Sequence, residues 1–582
     1  MHSPQPVRRI IHCLSLILFS YTAVLYAEPK PEIDITGLNK TQENNVRAYL
    51  SLSKKKCDSP RWKVERLFEQ APTQIKNALR ALGYYHPQIK PSLNWTEDCW
   101  VSAFNIEAGD AVIIARLDVQ VAGSGAQEDF FKELLQKNSL KIGATLNHGH
   151  YEQLKKDLHN LADAKGYFDN AFTTHTLKVN PALNTVNIQI HLQTGERYYI
   201  GQITIDENAL LPEFNQKYLA IKSGDAYDRD LIVKSHQLLD SAGYFKNIQL
   251  KFHQEQAENY HAPLNVTLTN LPKHIFSAGA GYDTDLGFRL STSYRNRFIN
   301  ESGHQFISDL NLSLKKSNVV MEYIIPLTNP LKDRLSFFTG FTHEDTSTID
   351  SQKIDLGIRL SNRFSGQLVL SEQLVFVVER FRNSNADPFE TRFLLVPGIS
   401  LSNTRAKKNK QVLEGYKYRL QLDAASEYLG SSTSFVQSKM HLKFAYSTFW
   451  QGRIIARADL GATVVTNFDN LPSSYRFYAG GDNSVRGYDY KSIGQRDKYD
   501  EVIGGRYLTT ASLEYEQGII EDWSLAVFVD AGDAFSKTPD LKIGAGLGVR
   551  WYSLIGPIRV DIAVPTDDAS DVHLHFSLST AL

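Results

Sequence analysis

Net charge is nearly absent from this 582-residue chain, which sets 63 basic against 64 acidic residues. That balance excludes the nucleic-acid binders, which carry a basic excess on their contact face. Cysteine and methionine are scarce, at three each. No CxxC or HxxxH spacing accompanies the cysteines, so neither a zinc ligand set nor a thiol nucleophile is indicated. G-x-S-x-G, P-loop and HExxH motifs are missing too, and neither an enzyme activity nor a cofactor is expected. His148 and His150 (NHGHY) fall where a helix begins and are not read as metal ligands. No metal is expected.

Apolar runs are short except at the start. In MHSPQPVRRIIHCLSLILFSYTAVLYA, Arg8 and Arg9 precede an apolar stretch from Ile10 to about Leu25 that ends at Ala27. This is the pattern of a secretory signal peptide cut after Ala27. A membrane anchor is the alternative, weakened by His12, Ser15, Ser20 and Thr22. Cleavage removes Cys13 and leaves Cys57 and Cys99, an even pair in an oxidising compartment, where a disulfide is expected. Two buried thiols are the alternative.

What the sequence has in abundance is repetition. NALRALGYYHPQI (77–89), DLHNLADAKGYFDNAF (157–172) and SHQLLDSAGYFKNIQL (235–250) share a helical stretch, then Gly-Tyr-aromatic, then a strand. Ile75, Ala78, Leu79 and Leu82 make one apolar helix face, and Leu154, Leu158 and Leu161 make its counterpart. Gly83, Gly166 and Gly243, spaced by about 80 residues, sit where a helix ends in the left-handed conformation. Closing strands alternate at Val186, Ile188, Ile190 and Leu192, and at Leu264, Val266 and Leu268. Each unit reads β-α-α-β-β. Three G-Y-[FY] copies behind a signal peptide resemble the POTRA (polypeptide-transport-associated) domain.

From Phe276 onward helical periodicity gives way to a period of two. Leu310, Leu312 and Leu314 alternate with Asp309, Asn311 and Ser313; Ile354, Leu356, Ile358 and Leu360 alternate with Asp355, Gly357 and Arg359. Periodicity alone leaves two architectures open, a soluble sandwich with its apolar face inside and a membrane barrel with that face outside. The signal peptide and the charged residues of the polar face favour the barrel. At ~9–11 residues per tilted strand, the region from 273 onward accommodates about 16 strands. The expected class is therefore α+β repeats followed by a 16-stranded antiparallel transmembrane β-barrel. The boundaries read 1–27 signal, 28–110, 111–194 and 195–271 for the three repeats, and 272–582 for the barrel.

Three ordered motifs lie in the last hundred residues. Val485-Arg486-Gly487-Tyr488 sits in a glycine-flanked loop; Phe528-Val529-Asp530-Ala531-Gly532 follows on a strand; Gly546, Gly548 and Arg550 form G-x-G-x-R, ahead of Gly556-Pro557-Ile558-Arg559-Val560-Asp561. Repeats plus these motifs resemble the outer-membrane assembly and transport superfamily, in which the [VI]-R-G-[YF] loop folds back into the lumen. Asp530 shares parity with Phe528 and Gly532 and would face that lumen. A guanidinium meets a carboxylate as a rigid fork, so an Arg486–Asp530 pair is expected. Taken as semi-exposed, it is worth ~1 kcal/mol. With three repeats, the string YRFYAGGDNSVRGYDYKSIG (475–494) most resembles the TamA-like branch, the outer-membrane subunits of translocation and assembly modules.

That resemblance implies a non-enzymatic role in the outer membrane of a Gram-negative bacterium, with the repeats in the periplasm. The clients would be unfolded outer-membrane proteins such as autotransporters, and the partner a TamB-like, inner-membrane-anchored protein spanning the periplasm. The first barrel strand, FSAGAGYDT, carries Gly279 and Gly281, which contribute no cross-strand contacts. Its pairing with VHLHFSLS, where Leu574, Phe576 and Leu578 alternate, is expected to be the weakest seam, open to a client strand. Passage of the client through the lumen is the alternative.

Overall fold

The structure, a computed structural model, describes residues 30–582 apart from 207, 365, 383–387, 410–411, 449, 451, 554–555, 569 and 580–582. The signal segment lies outside the described residues. The chain forms two compact units, residues up to 199 together with 226–229, and residues 200–225 together with 230–582.

Three small three-stranded sheets come first. Trp100–Glu107 is the middle strand between Glu32–Thr36 and Gln88–Trp95, Thr185–Gln193 lies between Ile113–Ala122 and Ala171–Asn180, and His261–Asn270 lies between Tyr199–Ile205 and Phe245–Phe252. In the first two sheets one outer strand runs parallel to the middle strand and the other antiparallel. Alternation in the sequence becomes burial. Val186, Ile188, Ile190 and Leu192 are buried against Leu154, Leu158 and Ala162 of the helix His148–Ala164. The helix Arg61–Ala81 likewise turns Ile75, Ala78 and Leu79 onto Trp100, Phe104 and Ile106. A disulfide joins Cys57 to Cys99 in this first domain.

Gly83, Gly166 and Gly243 all have left-handed φ, between +75° and +93°. A Cβ is strained there, and each glycine turns the chain out of its helix. The following tyrosines Tyr167 and Tyr244 go into the core. Tyr244 also reaches outside its own domain, donating its hydroxyl to the carbonyl of Gly303 at 2.7 Å, in a turn between barrel strands. Arg297 of the same turn donates to the Gly243 carbonyl at 2.6 Å, and Leu211 N–H to Glu301 O at 2.9 Å. A Cβ on Gly303 would lie 2.4 Å from the Phe214 ring. The third domain is thus seated on the barrel at the end where the chain enters it.

The barrel closes with 16 antiparallel strands, from His274–Asp283 to His573–Ser579. Its polarity is inverted relative to a soluble core. Ile354, Leu356, Phe376, Leu422, Leu513 and Leu547 are exposed on the outside, whereas Glu379, Gln437, Asp530 and Arg550 are buried within. Only a hydrocarbon surround stabilises such an outer face, and closure leaves no backbone edge to satisfy within it. The soluble sandwich left open by periodicity is excluded by this arrangement. Among the described residues no helix is long and apolar enough to cross a membrane.

Replacing Cys57 and Cys99 with serine should lower the stability of the first domain by about 2–4 kcal/mol. Pulse proteolysis of the full chain across a urea series measures this as earlier cleavage within residues 30–108, with the barrel band unchanged.

Candidate functional site

Between the strands Gly452–Val465 and Tyr507–Ile520 the chain leaves the wall, and part of this long connection packs inside the barrel. Val485 and Arg486 are buried there, 0 % and 3 % exposed. Arg486 Nε donates to Asp530 Oδ2 at 2.7 Å and Nη2 to Asp530 Oδ1 at 3.0 Å, a two-pronged fork. Its backbone N–H donates to the same carboxylate at 3.1 Å. Nη1 reaches Glu514 at 2.7 Å and Asp561 at 3.1 Å. The guanidinium carbon lies 3.4 Å from the centroid of the Phe528 ring. F-x-D therefore works as a unit, since residues two apart share a strand face. The ring carries the flat of the cation while the carboxylate takes its edge.

The motif glycines Gly532, Gly546 and Gly548, with Gly544 ahead of them on the same strand face as the latter two, make space for this contact. A Cβ at Gly532 would lie 3.0 Å from Val485, one at Gly544 1.8 Å from the carbonyl oxygen of Arg486, and one at Gly546 2.4 Å from Phe528. At Gly548 it would lie 1.8 Å from Asp561. The stripe ends at Arg550, which donates to Asp561 at 2.5 Å and to Glu514 at 2.8 Å. Two arginines thus interlock with three carboxylates, all nearly without solvent. The contact is not the semi-exposed pair expected from the sequence: Asp530 is 0 % exposed. Burial opposes the charge on Arg486, but Asp530, Glu514 and Asp561 outweigh it and hold the guanidinium protonated above its ordinary range.

Sequence reasoning named Arg486 and Asp530 and quoted Arg550 and Asp561 without a role, but missed Glu514. The available signal was the alternation of Glu514 and Glu516 with Leu513 and Tyr515, which puts both acids on the lumenal face. Two further anchors of the connection were also missed. Buried Glu379 accepts from Ser473 at 2.6 Å and from Ser474 N–H at 3.1 Å. Lys491 donates to Glu344 at 2.5 Å. Tyr488 donates its hydroxyl to Asp567 at 2.7 Å.

The seam between first and last strands has three pairs among the described residues. Only Gly281–Ser579, Tyr282–Leu578 and Asp283–Ser577 are in register among the described residues, against ten pairs on the other side of the first strand and six on the other side of the last. Gly279 pairs with Ser291 and has no described partner across the seam. Leu574 and Phe576 pair with Ile562 and Val560, and Leu574 stands exposed outside. Phe576 packs on Tyr282 across the seam, ring centroids 5.8 Å apart. A Cβ at Gly281 would lie 2.6 Å from the Leu578 carbonyl oxygen. His148 hydrogen-bonds the Tyr85 hydroxyl through Nε2 at 2.8 Å, at the start of its helix.

A closed 16-stranded barrel preceded by small mixed sheets, with an arginine loop held on its inner wall, defines a class of outer-membrane proteins. The Omp85 superfamily domain matches residues 270–581, and this chain belongs to the Omp85 superfamily. Residues 32–108 match the first POTRA domain of the TamA type, and residues 198–269 the POTRA family described as a surface antigen variable number repeat. The outer membrane protein assembly factor BamA of Nitratidesulfovibrio vulgaris is 21% identical over 588 residues, covering 94% of this chain and 71% of the relative. BamA of Neisseria meningitidis serogroup B is 21% identical over 482 residues, covering 70% and 59%. The crystal structure of Haemophilus ducreyi BamA lacking POTRA domains 1–3 shares the fold, with a TM-score of 0.67 at 15% identity over 80% of this chain and 99% of that one.

Arg486→Ala should destabilise the barrel by about 3–5 kcal/mol, because it strands the buried Asp530 carboxylate and leaves Glu514 and Asp561 to Arg550 alone. Arg486→Lys should recover less than half, since an ammonium cannot form the fork. Urea-dependent loss of heat-modifiable gel migration measures both; equal stability of R486K and the parent would contradict the fork.

Proposed function

We propose that this chain is an assembly and translocation factor of the outer membrane, working in the manner of the TamA-like branch. In this reading the segments 28–110, 111–194 and 195–271 are periplasmic, and the barrel inserts or secretes client outer-membrane proteins such as autotransporters. Three repeats and a first repeat of the TamA type support that branch. The BamA relatives support the broader role, since their name describes outer-membrane protein assembly factors.

The observation that carries the reading is the seam. Among the described residues the ladder between first and last strands has three pairs, fewer than any other in the barrel, and Gly281 sits in it with no side chain to add a cross-strand contact. When the seam parts, a client strand of β character can add to the freed edge of the first strand, main chain to main chain, before release sideways into lipid. The outer strands of the three small sheets offer the same kind of edge to a TamB-like, periplasm-spanning partner. The connection held on Glu379, Glu344 and Asp530 crosses the lumen. That arrangement disfavours the rival reading, passage of a client straight through the barrel.

Tyr282 and Leu578 face each other across the seam. Converting both to cysteine and oxidising the pair should abolish client assembly in reconstituted vesicles, with reductant restoring it. Full activity in the oxidised state would end the lateral reading and favour lumenal passage.

A further inference from the structure

Above the three-pair ladder the two strands no longer touch only each other. Thr284 N–H donates to the Phe576 carbonyl at 3.1 Å, and Phe576 N–H donates to Thr284 Oγ1 at 3.2 Å. The same Thr284 hydroxyl lies 3.1 Å and 3.2 Å from the two carboxylate oxygens of Asp482, which belongs to the lumenal connection. A hydroxyl has one proton, so Thr284 gives it to Asp482 while accepting from Phe576.

Asp482 reaches the last strand as well. His575 Nδ1 lies 2.5 Å from Asp482 Oδ1, and His575 Nε2 lies 2.9 Å from the N–H of Gly487. Gly487 N–H can only donate, so Nε2 is the acceptor and Nδ1 carries the proton given to Asp482. Both ring nitrogens are thus occupied. Asp285, Asp482 and His575 have the composition of a metal site, but the imidazole lone pair is already taken by Gly487, and the cluster is a hydrogen-bonded bridge. Asp482 N–H completes it by donating to Asp285 Oδ2 at 2.9 Å. Burial and the neighbouring Asp482 charge push the Asp285 carboxyl up to about 7, which eases the contact of two acids.

We infer that Asp482 is the positioning residue of the seam, a bridge that ties the first hairpin through Thr284 and Asp285 to the last strand through His575. The inference rests on the seam being the exit proposed above, and adds a fastening to it. Its place in the chain gives the bridge a second consequence. Gly481 has φ +99°, and a Cβ there would lie 2.7 Å from Asp285 Oδ2. The glycine pair Gly480-Gly481 therefore lets the chain press against the first hairpin. Four residues after Asp482, Arg486 is locked to the wall by Asp530. Seam bridge and wall anchor share one short segment, so the seam parts at its upper end only when this segment releases one of the two strands.

Hydrogen exchange read by mass spectrometry on the full chain in lipid vesicles tests this. Asp482→Ala should speed exchange in peptides covering 279–286 and 573–579 at least tenfold, with the strand Val369–Arg382 unchanged. His575→Ala should do the same, and the double variant should exceed neither single variant by more than about twofold, because both remove one bridge. Unchanged seam exchange in D482A overturns the inference, as does a double variant whose logarithmic effects add. Heat-modifiable migration establishes that each barrel is folded; if D482A loses it, D482N and T284V carry the same comparison with smaller rises expected. Should the cysteine lock of the previous section leave activity intact while exchange responds as stated, the exit reading fails and the bridge stands.

Discussion

The structure turns on one buried guanidinium. Arg486 brings a positive charge from a connection into the inside of a barrel, where water cannot solvate it adequately and the surrounding wall must. Five donors are arranged in a plane, and the wall supplies a fork at Asp530, further acceptors at Glu514 and Asp561, and a ring face at Phe528. Burying several charges together costs desolvation, which an isosteric apolar cluster would avoid. What the ionic arrangement contributes is position: a planar fork permits one orientation, where an apolar contact would tolerate many.

The spacing of the motifs follows from that geometry. The phenylalanine, the aspartate and the glycine of F-x-D-x-G share a lumenal face because a strand alternates with period two. The glycines at 544, 546 and 548 lie in the next strand directly beneath the Arg486 backbone, the Phe528 ring and the Asp561 carboxylate, so that no side chain intervenes. Arg550 ends the stripe by neutralising Glu514 and Asp561, which would otherwise crowd each other.

Anchored in this way, the connection links distant parts of one wall. It holds the strands Asp333–Asp345 and Val369–Arg382 through Glu344 and Glu379, and it meets both sides of the seam through Asp482. The seam is where the two ends of the barrel sequence meet, and these internal cross-links add side-chain fastening to its backbone ladder.

Much of this was readable in the order of residues. Helical and two-residue periodicities are local properties, and they determined three α+β repeats and a region of alternating strands; Gly83, Gly166 and Gly243 marked the helix ends because only glycine takes that backbone without strain. The pairing of Arg486 with Asp530 was accessible from the family resemblance of the loop motif together with the strand parity of Asp530. Three things required the tertiary structure. Which face of the alternating strands looks outward depends on closure, since period two is the same for a sandwich and a barrel. How dry the Arg486 site is depends on what packs over it, and residues as far apart as Glu514 and Asp561 meet there only because the wall brings their strands, with two others between, onto one lumenal face. The meeting of Thr284, Asp482 and His575, drawn from the beginning, middle and end of the barrel, is a product of ring closure, which no local pattern encodes.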